Sequence, residues 1–274
     1  MSICVVVIMS IKRSKRVSIS LDTLVKSGKP RSPILVTYGV SGIGKTTLAT
    51  SFPKPVVICT EDGLGTIKVD SFPKEEMATF ADVVGALTVL ATEKHSFETL
   101  VIDSLDWLEP LIWSQTCKDH DWADIEAPGY GKGYVAALAY WREYIDAITY
   151  LRDRGMTIVQ TAHSQIKKFD NPETESYDRY DIKLHKAANA IVQEHSDAVL
   201  FANYKVATTA NDAGFNKKKV RAVGQGERVL YCQERPSALA KNRYGMPLEL
   251  PMEFSAVAEY IEFFQKPETQ KEAA

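Results

Sequence analysis

Short apolar runs alternate with longer stretches of helical spacing through most of this chain. Residues 34–38, 55–60, 99–103 and 157–161 are nearly continuous apolar runs of five or six residues. Runs of this length without strict polar alternation predict strands buried on both faces. Between them lie segments with the three-to-four-residue period of amphipathic helices. Residues 80–93 carry Val83, Val84, Leu87, Val89 and Leu90, and residues 134–152 carry Val135, Leu138, Trp141, Ile145, Ile148 and Leu151. Residues 47–51, 105–116 and 185–195 also read as helices, and 121–133 as a loop containing Gly and Pro. A polar stretch covers 164–181, a further strand 198–204, and a β-hairpin is expected from 218–223 and 228–233 around Gly224-Gln225-Gly226. The expected fold is α/β: a mostly parallel central sheet flanked by helices, with a C-terminal β-hairpin extension. Its ligand site should lie beyond the strand C-termini. A basic, Ser-rich lead-in (1–31) and a polar tail (266–274) flank the core domain (32–265).

Composition narrows this picture only modestly. The 274 residues are 45% hydrophobic and 25% charged, ordinary globular values, with a net charge of −2. A general polycation is excluded, so contact with nucleic acid must come from local patches. Cys4, Cys59, Cys117 and Cys232 are scattered without metal or redox spacing, which suits a reducing cytoplasm. The apolar stretch near the N-terminus is only seven residues long, and its basic run follows rather than precedes it. It therefore reads neither as a membrane span nor as a secretory signal.

Candidate chemistry changes the picture more. The first apolar run enters Gly39-Val40-Ser41-Gly42-Ile43-Gly44-Lys45-Thr46, a G-x-x-x-x-G-K-T pattern, and a helix-forming segment opens at Thr47. Glycines there let successive N–H groups point at one phosphate chain, and the helix start adds a positive dipole end. Lys45 is placed to reach the β- and γ-phosphates of ATP, and the Thr46 hydroxyl to hold Mg²⁺. Asp103 ends the strand Leu100-Val101-Ile102 and is the second candidate Mg²⁺ ligand. Glu61 and Asp62 end the second run, and either can orient an attacking water or simply be a solvated loop acid. The fourth run delivers His163 and Gln165 to the same edge, where a polar group can touch a γ-phosphate.

With these residues in place, the chain resembles the RecA-like recombination ATPases, and in particular their small phage members described as single-strand annealing ATPases. Thr60-Glu61-Asp62, Val101-Ile102-Asp103-Ser104 and Ser164-Gln165-Ile166-Lys167 carry the likeness, as do Tyr177 to Lys186 and Ala240 to Gly245. The resemblance implies that Glu61 is the catalytic glutamate and Gln165 the γ-phosphate sensor. It also implies that Lys186, with Lys183 second, reaches the nucleotide of a neighbouring subunit in a homo-oligomeric ring or filament. It places two DNA loops at 121–133, with Tyr130 and Lys132, and at 167–180, with Lys167, Lys168, Phe169, Tyr177, Arg179 and Tyr180. Cations for backbone phosphates and aromatics for base stacking suit single-stranded DNA. A single-strand-binding protein is a further expected partner. Two other readings remain: a ring ATPase that remodels a protein, and a nucleotide-gated DNA-binding module with negligible turnover.

Overall fold

The structure is a computed structural model. It describes residues 30–205, 207–212, 218–223 and 226–265, together with Leu21, Leu24 and Gly28. Most of the lead-in, all of the tail and the expected turn residues Gly224 and Gln225 lie outside the described residues.

Six strands form a parallel sheet in the order β7 (Ala198–Tyr204), β1 (Ile34–Gly39), β5 (Thr157–Phe169), β4 (Thr99–Asp103), β2 (Pro55–Cys59) and β3 (Asp70–Phe72). Beyond β7 the sheet continues antiparallel through β10 (Arg228–Tyr231) to β12 (Glu249–Pro251). A two-residue strand, β11 (Lys241–Asn242), also pairs with β7. All residues of β1 and β4 are buried, as expected for strands covered on both faces.

Alternate side chains along each strand serve opposite cores, because the side-chain period of a strand is two. Ile34, Val36, Tyr38, Ile58, Leu100 and Ile102 face one core. It is closed by α2 (Phe80–Thr92), α3 (Leu105–His120), α4 (Lys132–Asp153) and α5 (Lys186–His195). Leu35, Val57, Val101 and Val159 face the other core, with Leu48 and Ala49 of the short α1 (Lys45–Ala49) and Val257 of α6 (Phe254–Ala258). Helix α2 starts where Thr79 and Asp82 exchange hydrogen bonds, 3.3 Å from the Asp82 N–H to Thr79 Oγ1 and 2.8 Å from the Thr79 N–H to Asp82 Oδ2. This capping box satisfies two N–H groups that the helix itself cannot.

Two expectations change. Strand β5 does not stop at residue 161 but runs to Phe169, and β6 (Tyr177–Ile182) folds back on it, so residues 167–180 form an antiparallel hairpin rather than an open loop. The C-terminal extension is indeed a hairpin, but β9 (Lys218–Val223) pairs with β8 (Ala207–Asp212), not with the segment after Gly226. That segment is β10, whose Val229 and Leu230 are buried in the main sheet. Apolar burial at the sheet edge outweighs local hairpin closure there.

Candidate functional site

Register assembles the site. Gly39 pairs with His163 across β1 and β5, and Cys59 pairs with Asp103 across β2 and β4. Both pairings place polar residues from distant stretches of sequence at one sheet edge, beyond the β1, β2 and β4 C-termini. The β1 end must be glycine: a Cβ on Gly39 would stand 2.1 Å from the Ala202 carbonyl oxygen on β7. Gly44 has φ of +103°, a conformation that side chains with a Cβ rarely adopt.

Lys45 is buried and its Nζ donates to the carbonyls of Gly39 (3.2 Å) and Val40 (3.1 Å). Burial lowers its pKa, against the opposing pull of Glu61, Asp103 and Asp106. The Thr46 hydroxyl donates to Asp103 Oδ2 at 3.0 Å, and the Thr161 hydroxyl donates to Asp103 Oδ1. A hydroxyl and a carboxylate so joined are hard oxygen ligands, the kind that suits Mg²⁺ alongside phosphates and water. Among the described residues no group of three or more His, Cys, Asp or Glu is set for a metal. Any cation here would thus rely on phosphate and water for its remaining ligands.

Glu61 lies two residues past the Cys59–Asp103 pair, and its N–H reaches the Asp103 carbonyl at 3.2 Å. Its half-buried carboxyl is raised above the usual carboxylate range, first by burial and next by the charge of Asp103. His163 stands between two carboxylates: Nδ1 is 3.0 Å from Asp106 Oδ2 and 3.9 Å from Glu61 Oε2. The His163 N–H also donates to Asp106 Oδ1 at 3.0 Å. Burial alone would raise the Asp106 carboxyl, but the hydrogen bonds from His163 and Ser104 outweigh it and hold the carboxyl below its usual value. Lys183 Nζ approaches the same carboxylate at 3.8 Å. Asp106 was not legible as a site residue, because an acid in the first turn of a helix ordinarily needs no partner beyond the helix itself.

A cavity of about 410 Å³ opens onto Gly42, Lys45, Thr46, Thr47, Glu61 and His163. Gln165 is not in its wall. Its amide donates to the carbonyls of Ile182 (2.8 Å) and Leu184 (3.3 Å), so it ties β5 to the segment leading into α5. Lys186 is exposed at the start of that helix and likewise does not line the cavity.

The expected DNA residues divide. Tyr130 is fully exposed, and Lys132, Lys167 and Lys168 are exposed. Lys132 opens α4 rather than lying in the loop before it. Tyr180 stacks on Phe201 at 4.9 Å between ring centres and packs against the core, so its face is already occupied. Arg179 is held by Glu234 at 2.9 Å and lies 4.0 Å over the Phe169 ring, which itself touches Tyr177. Tyr134, in the first turn of α4, stacks on His185, the residue that caps α5, with ring centres 4.1 Å apart.

A parallel sheet with this phosphate loop, lysine and strand-end acids defines a P-loop nucleotide-binding ATPase domain. The chain belongs to the AAA domain family, whose model matches residues 31–244. It is also 27% identical over 174 residues to the SPbeta prophage-derived uncharacterized protein YorG of Bacillus subtilis (strain 168). That match covers 61% of this chain and 50% of the relative, so the chain spans about half the length of the relative it matches. Among the described residues no helix is long and apolar enough to cross a membrane.

Proposed function

We propose that this protein binds and hydrolyses ATP and uses the nucleotide to control its hold on single-stranded DNA, in phage recombination or annealing. The observation that carries the reading is one cavity in which Lys45, Thr46, Glu61 and His163 meet, with Asp103 bonded to Thr46 from behind. In this reading the N–H groups of residues 39–47 cradle the phosphates. Lys45 exchanges its two carbonyl partners for phosphate oxygens, which are stronger acceptors. Thr46 and Asp103 hold Mg²⁺, which neutralises phosphate charge when bound. Glu61, with its raised pKa, takes the proton of the attacking water, and His163 keeps its carboxylate in place. The prophage origin of the relative supports a phage setting. Exposed lysines at the β5–β6 hairpin and the open Tyr130 support a nucleic-acid surface. Gln165, two residues past His163 on β5, is bonded to the carbonyls of Ile182 and Leu184, which lead into α5 and Lys186, and so supports a link between the nucleotide site and that lysine.

The test is a fluorescence-anisotropy titration of a labelled oligonucleotide with and without a non-hydrolysable ATP analogue, beside phosphate release with and without DNA. Tighter binding with nucleotide and faster release with DNA are expected. Equal, negligible binding in both states would remove DNA from the reading and leave an ATPase that acts on another protein. A homo-oligomer sharing sites between subunits is part of the proposal, as is a single-strand-binding partner.

A further inference from the structure

Asp106 stands in the first turn of α3 with its side chain only 2% exposed. Both of its oxygens are taken. Oδ1 accepts from the Ser104 hydroxyl at 2.9 Å and from the His163 N–H at 3.0 Å. Oδ2 lies 3.0 Å from His163 Nδ1, and Lys183 Nζ approaches it at 3.8 Å. The Lys183 N–H donates to the His163 carbonyl at 2.9 Å. His163 is thus gripped by Asp106 at its backbone and at its ring. An acid that bonds both groups of one residue fixes where that residue sits and how its ring is turned.

The same junction fixes Glu61. The Thr60 and Glu61 N–H groups both donate to the Asp103 carbonyl, at 2.8 and 3.2 Å, and the Thr60 hydroxyl donates to the Ser104 carbonyl at 2.7 Å. The residues that follow β2 are therefore tied to the residues that open α3, and the His163 ring stands between the acids of the two segments. An ionised carboxylate only accepts, so the ring nitrogen that it holds must carry a proton. The bonds to Asp106 keep it ionised, with its carboxyl below the usual range. The partner of one imidazole nitrogen decides the state of the other. Nδ1–H belongs to Asp106, and Nε2 is the nitrogen left for the cavity that His163 lines.

We propose that Asp106 is a positioning residue for ATP hydrolysis: it holds a His163 proton on Nδ1, beside Glu61, and turns Nε2 toward the nucleotide and its attacking water. Asp106 is not in the cavity wall, so it acts through His163 alone. The inference rests on the ATP-hydrolysis reading and adds to it the residue that sets the orientation and tautomer of the imidazole.

The test replaces Asp106 by asparagine. Asp106→Asn keeps an acceptor for the His163 N–H but offers an amide donor to the ring, which moves the ring proton from Nδ1 to Nε2. Phosphate release by the full chain should show kcat lower by roughly 10²-fold, with KM for ATP changed by no more than about twofold. Added to His163→Ala, Asp106→Asn should cost nothing more, because the two residues act as one unit. Nitrogen-15 chemical shifts of the imidazole, assigned by comparison with His163→Ala, should show Nδ1–H in the unaltered chain and Nε2–H in Asp106→Asn. A folded Asp106→Asn protein with normal kcat would overturn the proposal. So would a further loss in the double variant, or an Nε2–H tautomer in the unaltered chain. The tautomer of the unaltered chain decides the matter even where thermal melting shows that Asp106→Asn does not fold. If Glu61→Gln releases phosphate as fast as the unaltered chain while Nδ1 carries its proton, the hydrolysis reading itself fails, and the proposal with it.

Discussion

The two halves of β5 are built on opposite terms. From Thr157 to His163 the strand is enclosed between β1 and β4, and two of its polar side chains bond to strand-end and helix-start acids: Thr161 to Asp103, His163 to Asp106. From Ser164 to Phe169 it pairs only with β6, and Ile166, Lys167 and Lys168 are exposed, Ile166 at 66%. A closed network of buried polar groups loses heavily when one member goes, because its partners are left unsatisfied. An exposed cation loses only its own modest, salt-screened contribution. The first half should thus respond to substitution by orders of magnitude and the second by small factors.

The sharpest way to break that contrast is Glu61→Gln. Hydrolysis should fall ~10²–10⁴-fold while ATP still binds, measured as steady-state phosphate release beside nucleotide displacement. A slow Asp62→Asn variant with normal Glu61→Gln turnover would move the role by one residue. The acid limb of the hydrolysis rate should also lie above the ordinary carboxylate range. A base works only when deprotonated, and burial raises the Glu61 carboxyl. Activity therefore rises as pH increases through that raised value.

The seam between the halves is tested through stability. Glu109 is buried beneath α5, receives the His185 N–H on both oxygens at 3.1 Å, and is pushed up to about 7, chiefly by burial. Its folded pKa lies above its unfolded one, so the folded state holds the extra proton. The Glu109 contribution to stability is full below about pH 4.5 and is lost as pH rises through 7, on the order of 3 kcal/mol. Glu109→Gln keeps an acceptor for the His185 N–H and should flatten this slope in urea titrations at pH 5 and pH 8. An unchanged slope would place the dependence elsewhere.

Smaller effects are expected at the hairpin. Replacing Lys167 and Lys168 together should reduce the salt slope of oligonucleotide binding by about 0.7 for each DNA phosphate no longer neutralised. Arg179→Ala should instead lower the melting temperature, because Arg179 is committed to Glu234 and the Phe169 ring. A large change in salt slope from Arg179 alone would show that the hairpin opens on DNA. The smallest signal is subunit mixing. Lys186→Ala combined with Glu61→Gln chains should recover part of the ATPase activity if Lys186 serves a neighbour's site, and none at any ratio if it does not.

The same division explains what could be read in advance. Gly39 to Thr46 were legible because backbone geometry dictates glycine at set spacings and chemistry dictates Lys45 and Thr46. Asp103 was legible as an acid ending an apolar run. Asp106 was not, since its importance arises from His163, 57 residues away and joined to it only by strand register. The strand β6, Tyr-Asp-Arg-Tyr-Asp-Ile, hides itself because its charges suit a loop as well as a strand with one solvated side. Arg228 was equally silent: nothing about an arginine before an apolar pair reveals that its guanidinium lies over Gly44.

The unbroken course of β5 has a mechanical consequence. Six residues separate His163 from Phe169, about 20 Å at the rise of an extended strand. An extended chain held by a ladder on one side is stiff along its axis, so it behaves as a pushrod and not as a spring.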